Sequence, residues 1–186
     1  LGAKVVLSGL KPGIITLHMA LAVLLLCVLV YVTWRGTDRP WTLNLASRRP
    51  FHLAALLFVL VVVEAVMGSQ VREMTDHLSK LHAGELRSQW VAELEHTWVY
   101  LVHRSFSWLI LGVAIWFGVA AKKALGSLRW LEWSIIGLVL AQMVLGIVLA
   151  HVGIVRVAQV LHIGLSSLLV SGLFLWLLGG RRPQAG

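Results

Sequence analysis

The sequence has little charge, a single cysteine and no alternating strand pattern. Only 13% of its 186 residues are charged, against about 25% in a soluble domain. That shortage excludes an ordinary water-facing surface. The lone thiol, Cys27, excludes an intrachain disulfide and reads as a small apolar packing residue. Apolar runs are continuous, which excludes the polar–apolar alternation of a membrane β-barrel. Leu1 opens the sequence with neither a methionine nor a basic n-region, so no signal peptide is expected.

Hydrophobic residues make up 59% of the chain, and mean hydropathy is +0.86. Five apolar stretches, near 14–34, 51–70, 97–120, 131–151 and 155–178, are each long enough to cross a hydrocarbon core about 30 Å thick as a helix. The fold class is therefore an all-α integral membrane protein with five transmembrane helices. The last two are joined by a short connection around Gly153. A formal charge of +8 could suggest nucleic acid, but its distribution points elsewhere. Residues 35–50 carry Arg35, Arg39, Arg48 and Arg49 against Asp38, residues 121–132 carry Lys122, Lys123 and Arg129 against Glu132, and the tail carries Arg181 and Arg182. Alternating the spans puts all of them on one side, which the positive-inside rule makes cytoplasmic. The opposite side receives the connection 71–96, where five acids outweigh three bases. The charge is a topology signal, and no nucleic acid is expected.

The sequence also resembles itself. LGAKVVLSGLKPGIITLHMALAVLL at 1–25 aligns without a gap on LGIVLAHVGIVRVAQVLHIGLSSLL at 145–169. Leu1-Gly2, Gly9 and Leu17-His18 match Leu145-Gly146, Gly153 and Leu161-His162 at one constant offset of 144 residues. Leucines match cheaply in a membrane protein, but two glycines and a histidine do not. The matching spans cross in the same direction, which makes this a parallel repeat. Two spans precede 145–178 within its unit, whereas nothing precedes 1–34. About three helices are therefore expected ahead of Leu1.

His18, His103 and His162 each lie near the start of a span running from the outer to the inner side. Ionisable residues at such depth are costly and usually functional. Two imidazoles on adjacent helices at one level suit axial coordination of a haem, and Arg104 or Arg156 would suit its propionates. The plainer reading of any one histidine is an interhelical hydrogen bond. His103 and His162 together, with His18 repeating the second, favour haem ligation. His52, His77, His82 and His96 occupy positions that are normally solvated, and His151 lies where it could approach a haem edge. His77 and His82 lack a third ligand for zinc. Glu64 is the one acid deep in a span, and EAVMG at 64–68 resembles QMVLG at 142–146. It suits either a proton relay or a helix–helix hydrogen bond. Trp34, Trp41, Trp90, Trp98, Trp130 and Trp133 read as an interfacial belt.

His103-Arg104, the LH pairs Leu17-His18 and Leu161-His162, and Gly68-Ser69-Gln70-Val71-Arg72 together resemble the haem A synthase family along the whole chain. GSQVREMTDHL with HRSFS is similar to a bacterial branch with a longer, cysteine-free connection. The resemblance implies an eight-helix protein of two similar four-helix bundles. Residues 1–34 would be the last helix of the N-terminal half and 35–50 a cytoplasmic loop. Residues 51–186 would be the C-terminal haem-binding bundle with an outer loop at 71–96. It implies an oxidoreductase of the bacterial inner membrane that converts the C8 methyl of haem O to the formyl of haem A. In that scheme His103 and His162 ligate a haem b, Arg104 binds it, and His18 serves the iron of the substrate haem.

The partners so implied are the lipid bilayer, haem O and haem A, and haem O synthase or other cytochrome oxidase assembly proteins, with a homo-oligomer allowed. The family's first HR helix, with its glutamate, has no counterpart in this chain. The chain is thus expected to complete the prosthetic site and not the substrate site. A cysteine pair carried by many members in an outer loop is also absent from 71–96. Two other classes compete: a non-catalytic membrane cytochrome b and a haem-free subunit of a respiratory complex.

Overall fold

A computed structural model describes residues 13–152 and 156–181. Gly153 and Arg182 lie outside the described residues, as does the side chain of Arg156. In hydrocarbon every backbone N–H and C=O needs an internal partner, and a helix supplies one within a single segment. The described elements are accordingly all helical: α1 (Ile14–Arg35), α2 (Arg49–Leu81), α3 (Arg87–Glu95), α4 (Trp98–Leu125), α5 (Trp130–His151) and α6 (Arg156–Gly179). All except α3 are long and apolar enough to cross a membrane. This is an integral membrane all-α protein.

Helices α2, α4, α5 and α6 form a closed four-helix ring, each touching its two neighbours, so α2 lies diagonal to α5 and α4 diagonal to α6. Helix α1 packs outside the ring against α2 and α6 and buries no residue of its own. It runs in the same direction as α6, as the repeat requires. At one end of the ring the segment 36–48 passes beneath the helices. Leu43 N–H donates to Gly179 O (2.7 Å), Ala46 N–H to Ala124 O (3.3 Å), and Arg48 Nη1 to Gly180 O (2.6 Å). Trp41 lies so close over Gly179 that a Cβ there has no room. Gly126, at φ 81°, turns α4 toward α5 in a conformation that costs other residues strain. The basic residues thus gather at this end.

The core is concentrated at that same end. Phe117 and Trp176, both fully buried, meet edge to face with centroids 5.1 Å apart. Leu57, Ile135, Leu173, Ala114 and Ala121 complete the layer with no exposed surface. Glu132, read from the sequence as one more charge in the connection 121–132, lies in the first turn of α5 and is fully buried. Its carboxylate accepts from Trp176 Nε1 (2.6 Å) and from Arg129 N (2.8 Å). A buried carboxylate with two donors no longer lacks the hydrogen bonds it gave up in leaving water.

Residues 71–96, expected as a loop, are largely helical instead. Helix α2 has 33 residues, about 50 Å at 1.5 Å per residue, against a hydrocarbon core of about 30 Å. Apolar content marks where lipid ends, and helix propensity carries the chain further. Arg72 and Asp76 pair at 2.9 Å across one turn of the extension. Gly84 (φ 98°) then allows the reversal into α3. Leu78, Trp90 and Leu94 form a second small core, with Met74 and Tyr100 against it. Arg87 Nη2 donates to Leu149 O (3.1 Å) at the last turn of α5. Together these residues make a cap over the end opposite the basic one. Trp90 belongs to that small core and not to a lipid-facing belt, whereas Trp98, Trp130 and Trp133 remain exposed.

Candidate functional site

Above the packed layer the interior changes character. Helix α4 buries eight residues from Ile110 to Ala124 and none from Trp98 to Leu109. Helix α5 buries Leu131, Glu132, Ile135 and Val139, and none beyond. Where the apolar packing stops, Glu64, Gln142, His103 and His162 begin. His103 is the sixth residue of α4 and His162 the seventh of α6. These helices were expected to be adjacent but are diagonal, each packing on α2 and α5 and not on the other, so the two imidazoles come from opposite sides of the ring.

Each imidazole is served by the same two-residue device from a neighbouring helix. A Cβ built on Gly68 of α2 would stand 3.3 Å from His103 Cε1, and one on Gly146 of α5 would stand 4.0 Å from His162 Cε1. One turn earlier on each helix is a polar residue. Glu64 Oε1 accepts from Ser107 Oγ (2.6 Å), and Gln142 Nε2 donates to His162 O (2.8 Å). The likeness of EAVMG to QMVLG is therefore spatial: both segments make a floor for a histidine.

Both rings keep a buried nitrogen without a hydrogen-bond partner, Nδ1 of His103 and of His162, and Glu64 Oε2 is likewise unpaired. His103 Nδ1 lies 3.1 Å from Glu64 Oε1. The pair meets in distance but not in hydrogen-bond angle. Buried polar atoms are rarely left unmatched, and such a cluster calls for a ligand or an ion. Two imidazoles on diagonal helices of one ring are the donor set that two axial haem ligands require. No group of three or more metal-ligating side chains occurs among the described residues.

The remaining histidines are placed apart from this pair. His18 is exposed on α1. Thr16 Oγ1 touches Ser69 Oγ of α2 at 3.1 Å, and two residues further along a helix turn about 200°. His18 therefore faces away from the ring and does not join His103 and His162. Arg104 is exposed beside them and forms no ion pair among the described residues. His77, His96 and His151 are exposed. His82 lies in the cap between two carboxylates, Nδ1 at 3.0 Å from Glu85 and Nε2 at 3.1 Å from Glu93, and stacks on Trp90. Burial of the ring works against its charge. The Glu93 and Glu85 carboxylates outweigh that and raise its pKa above the ordinary value.

Sequence reasoning missed Glu132 and Arg87. The spacing of Glu132 three residues after Arg129, just before an apolar run, is a helix-start signal. Nothing local points to its partner Trp176. The family model described as cytochrome oxidase assembly protein, COX15-CtaA, matches residues 1–174. No curated protein and no solved structure matches the chain.

Proposed function

The chain belongs to the COX15-CtaA family of cytochrome oxidase assembly proteins, the haem A synthase family, and from that premise we propose that it takes part in oxidising the C8 methyl of haem O to the formyl of haem A. The observation that carries the reading is the pair of imidazoles, His103 and His162, on diagonal helices of the ring at the level where its apolar packing has stopped. These two would hold the iron of a haem b. Haem supplies the one-electron chemistry that side chains lack.

The chain's own residues do the rest. Gly68 leaves the His103 ring the space that a Cβ there would crowd. The layer around Phe117 and Trp176 closes the basic end to water, and the cap of α3 covers the other. Arg104, with no ion pair among the described residues, suits a propionate at that edge. His18, turned to the far side of α1, would serve the substrate haem from there. The basic end would face the cytoplasm of a bacterial inner membrane.

The experiment is conversion. In cells that make haem O, full-length protein is expected to yield haem A in extracted pigments. Folded, haem-bearing protein that yields none contradicts the enzyme and leaves an electron-carrying cytochrome b. One observation favours that second reading: the ring brings together one histidine pair, with His18 outside it.

A further inference from the structure

Glu64 is not needed to fasten α2 to α4. The helices already pack through Leu57, Val61, Ala114 and Phe117 in the main core. The twin position shows what a plain helix bridge requires: Gln142 spans to the main-chain oxygen of His162 with a neutral amide and leaves that ring's Nδ1 unpaired. At Glu64 the sequence instead places a carboxylate, costly at this depth, with Oε1 2.6 Å from the Ser107 hydroxyl and 3.1 Å from the Nδ1 of His103.

We propose that Glu64 is a positioning residue for His103: held by Ser107, its carboxylate takes the Nδ1 proton in a hydrogen bond and so keeps Nε2 as the ring's lone-pair nitrogen. A neutral imidazole carries one N–H and one acceptor, and fixing the first assigns the second. Such an outer partner also makes a ligating histidine more basic. The two imidazoles are therefore unequal: His103 is the stronger donor, and His162, with no acidic partner, the weaker. This rests on the haem reading above.

The test uses full-length protein, with haem content, low-spin spectrum and midpoint potential as readouts. Glu64→Gln keeps the size and a partner for Ser107 but removes the charge. Its haem is expected to stay bound. Preference for ferric over ferrous iron should fall about tenfold, the lower limit for lost outer partners, raising the potential by about 59 mV in a one-electron couple. Glu64→Leu is expected to cut haem affinity about 10- to 100-fold. Gln142→Leu, which touches only main chain, should leave the potential in place. An unchanged potential in haem-loaded Glu64→Gln overturns the proposal while the ligand reading stands, and an equal shift in Gln142→Leu overturns it as general repacking. Haem retained by His103→Ala removes the ligand reading and this inference with it.

Discussion

The same four helices build two unlike halves. At the basic end the ring is filled by Phe117, Trp176, Leu57 and Ile135 without exposed surface, and its one carboxylate, Glu132, has two donors. At the capped end no residue of α4 before Ile110 is buried, and three polar atoms of Glu64, His103 and His162 lack partners. Lipid is as apolar as leucine, so helices in a bilayer associate through packing and hydrogen bonds and gain little from leaving it. One half therefore supplies the association, and the other can stay open for a ligand. The division of labour runs along each helix, not between domains.

The sharpest way to break that comparison is to open the filled half. Phe117→Ala is expected to leave a void of about 100 Å³ and cost roughly 2 kcal/mol at 24 cal/mol per Å³. Thermal melting in detergent should show a clear drop, with haem lost only alongside the fold. Glu132→Ala leaves the buried Trp176 N–H unpaired and should cost about 1–3 kcal/mol, whereas a matched change in the open half should not. Equal losses from Glu132→Ala and Gln142→Ala would erase the distinction.

Within the open half the two glycine floors differ in clearance. A Cβ at Gly68 stands 3.3 Å from the His103 ring, tighter than ordinary contact, while one at Gly146 stands 4.0 Å from the His162 ring, within ordinary contact. Gly→Ala within a helix otherwise stabilises by about 0.4–1 kcal/mol. Gly68→Ala is thus expected to weaken haem retention with the fold intact, and Gly146→Ala to keep it. Comparing bound haem per protein in the two variants decides this.

The smallest effect belongs to the cap. His82 has its pKa raised in the fold, so its pairing with Glu85 and Glu93 is fully present below the unfolded value of 6.5 and fades as pH rises through the folded one. Hydrogen exchange across 82–96 should quicken over that window, more than in α5. Exchange across 82–96 that rises with pH no more steeply than in α5 removes the His82 contribution.

Much of this was legible in the sequence, for physical reasons. The spans emerged within a few residues because a bilayer demands length and apolarity that little else imitates. The end of α2 did not, since hydropathy registers where lipid stops and Arg72–Asp76 carries helix beyond it. His103 and His162 stood out because ionisable residues in a span are rare. That they come from diagonal helices was invisible, as it depends on the ring order. Glu132 was hidden for a similar cause: its partner is 44 residues away, and nothing near it in sequence announces a buried tryptophan N–H.

The central claim is that His103 and His162 together hold one haem across the ring. Purified full-length protein and the variants His103→Ala and His162→Ala should be compared by electron paramagnetic resonance and optical spectroscopy. The account predicts a low-spin bis-imidazole signal in the parent that either single change abolishes while helix content is kept. The same signal surviving in either variant would contradict it.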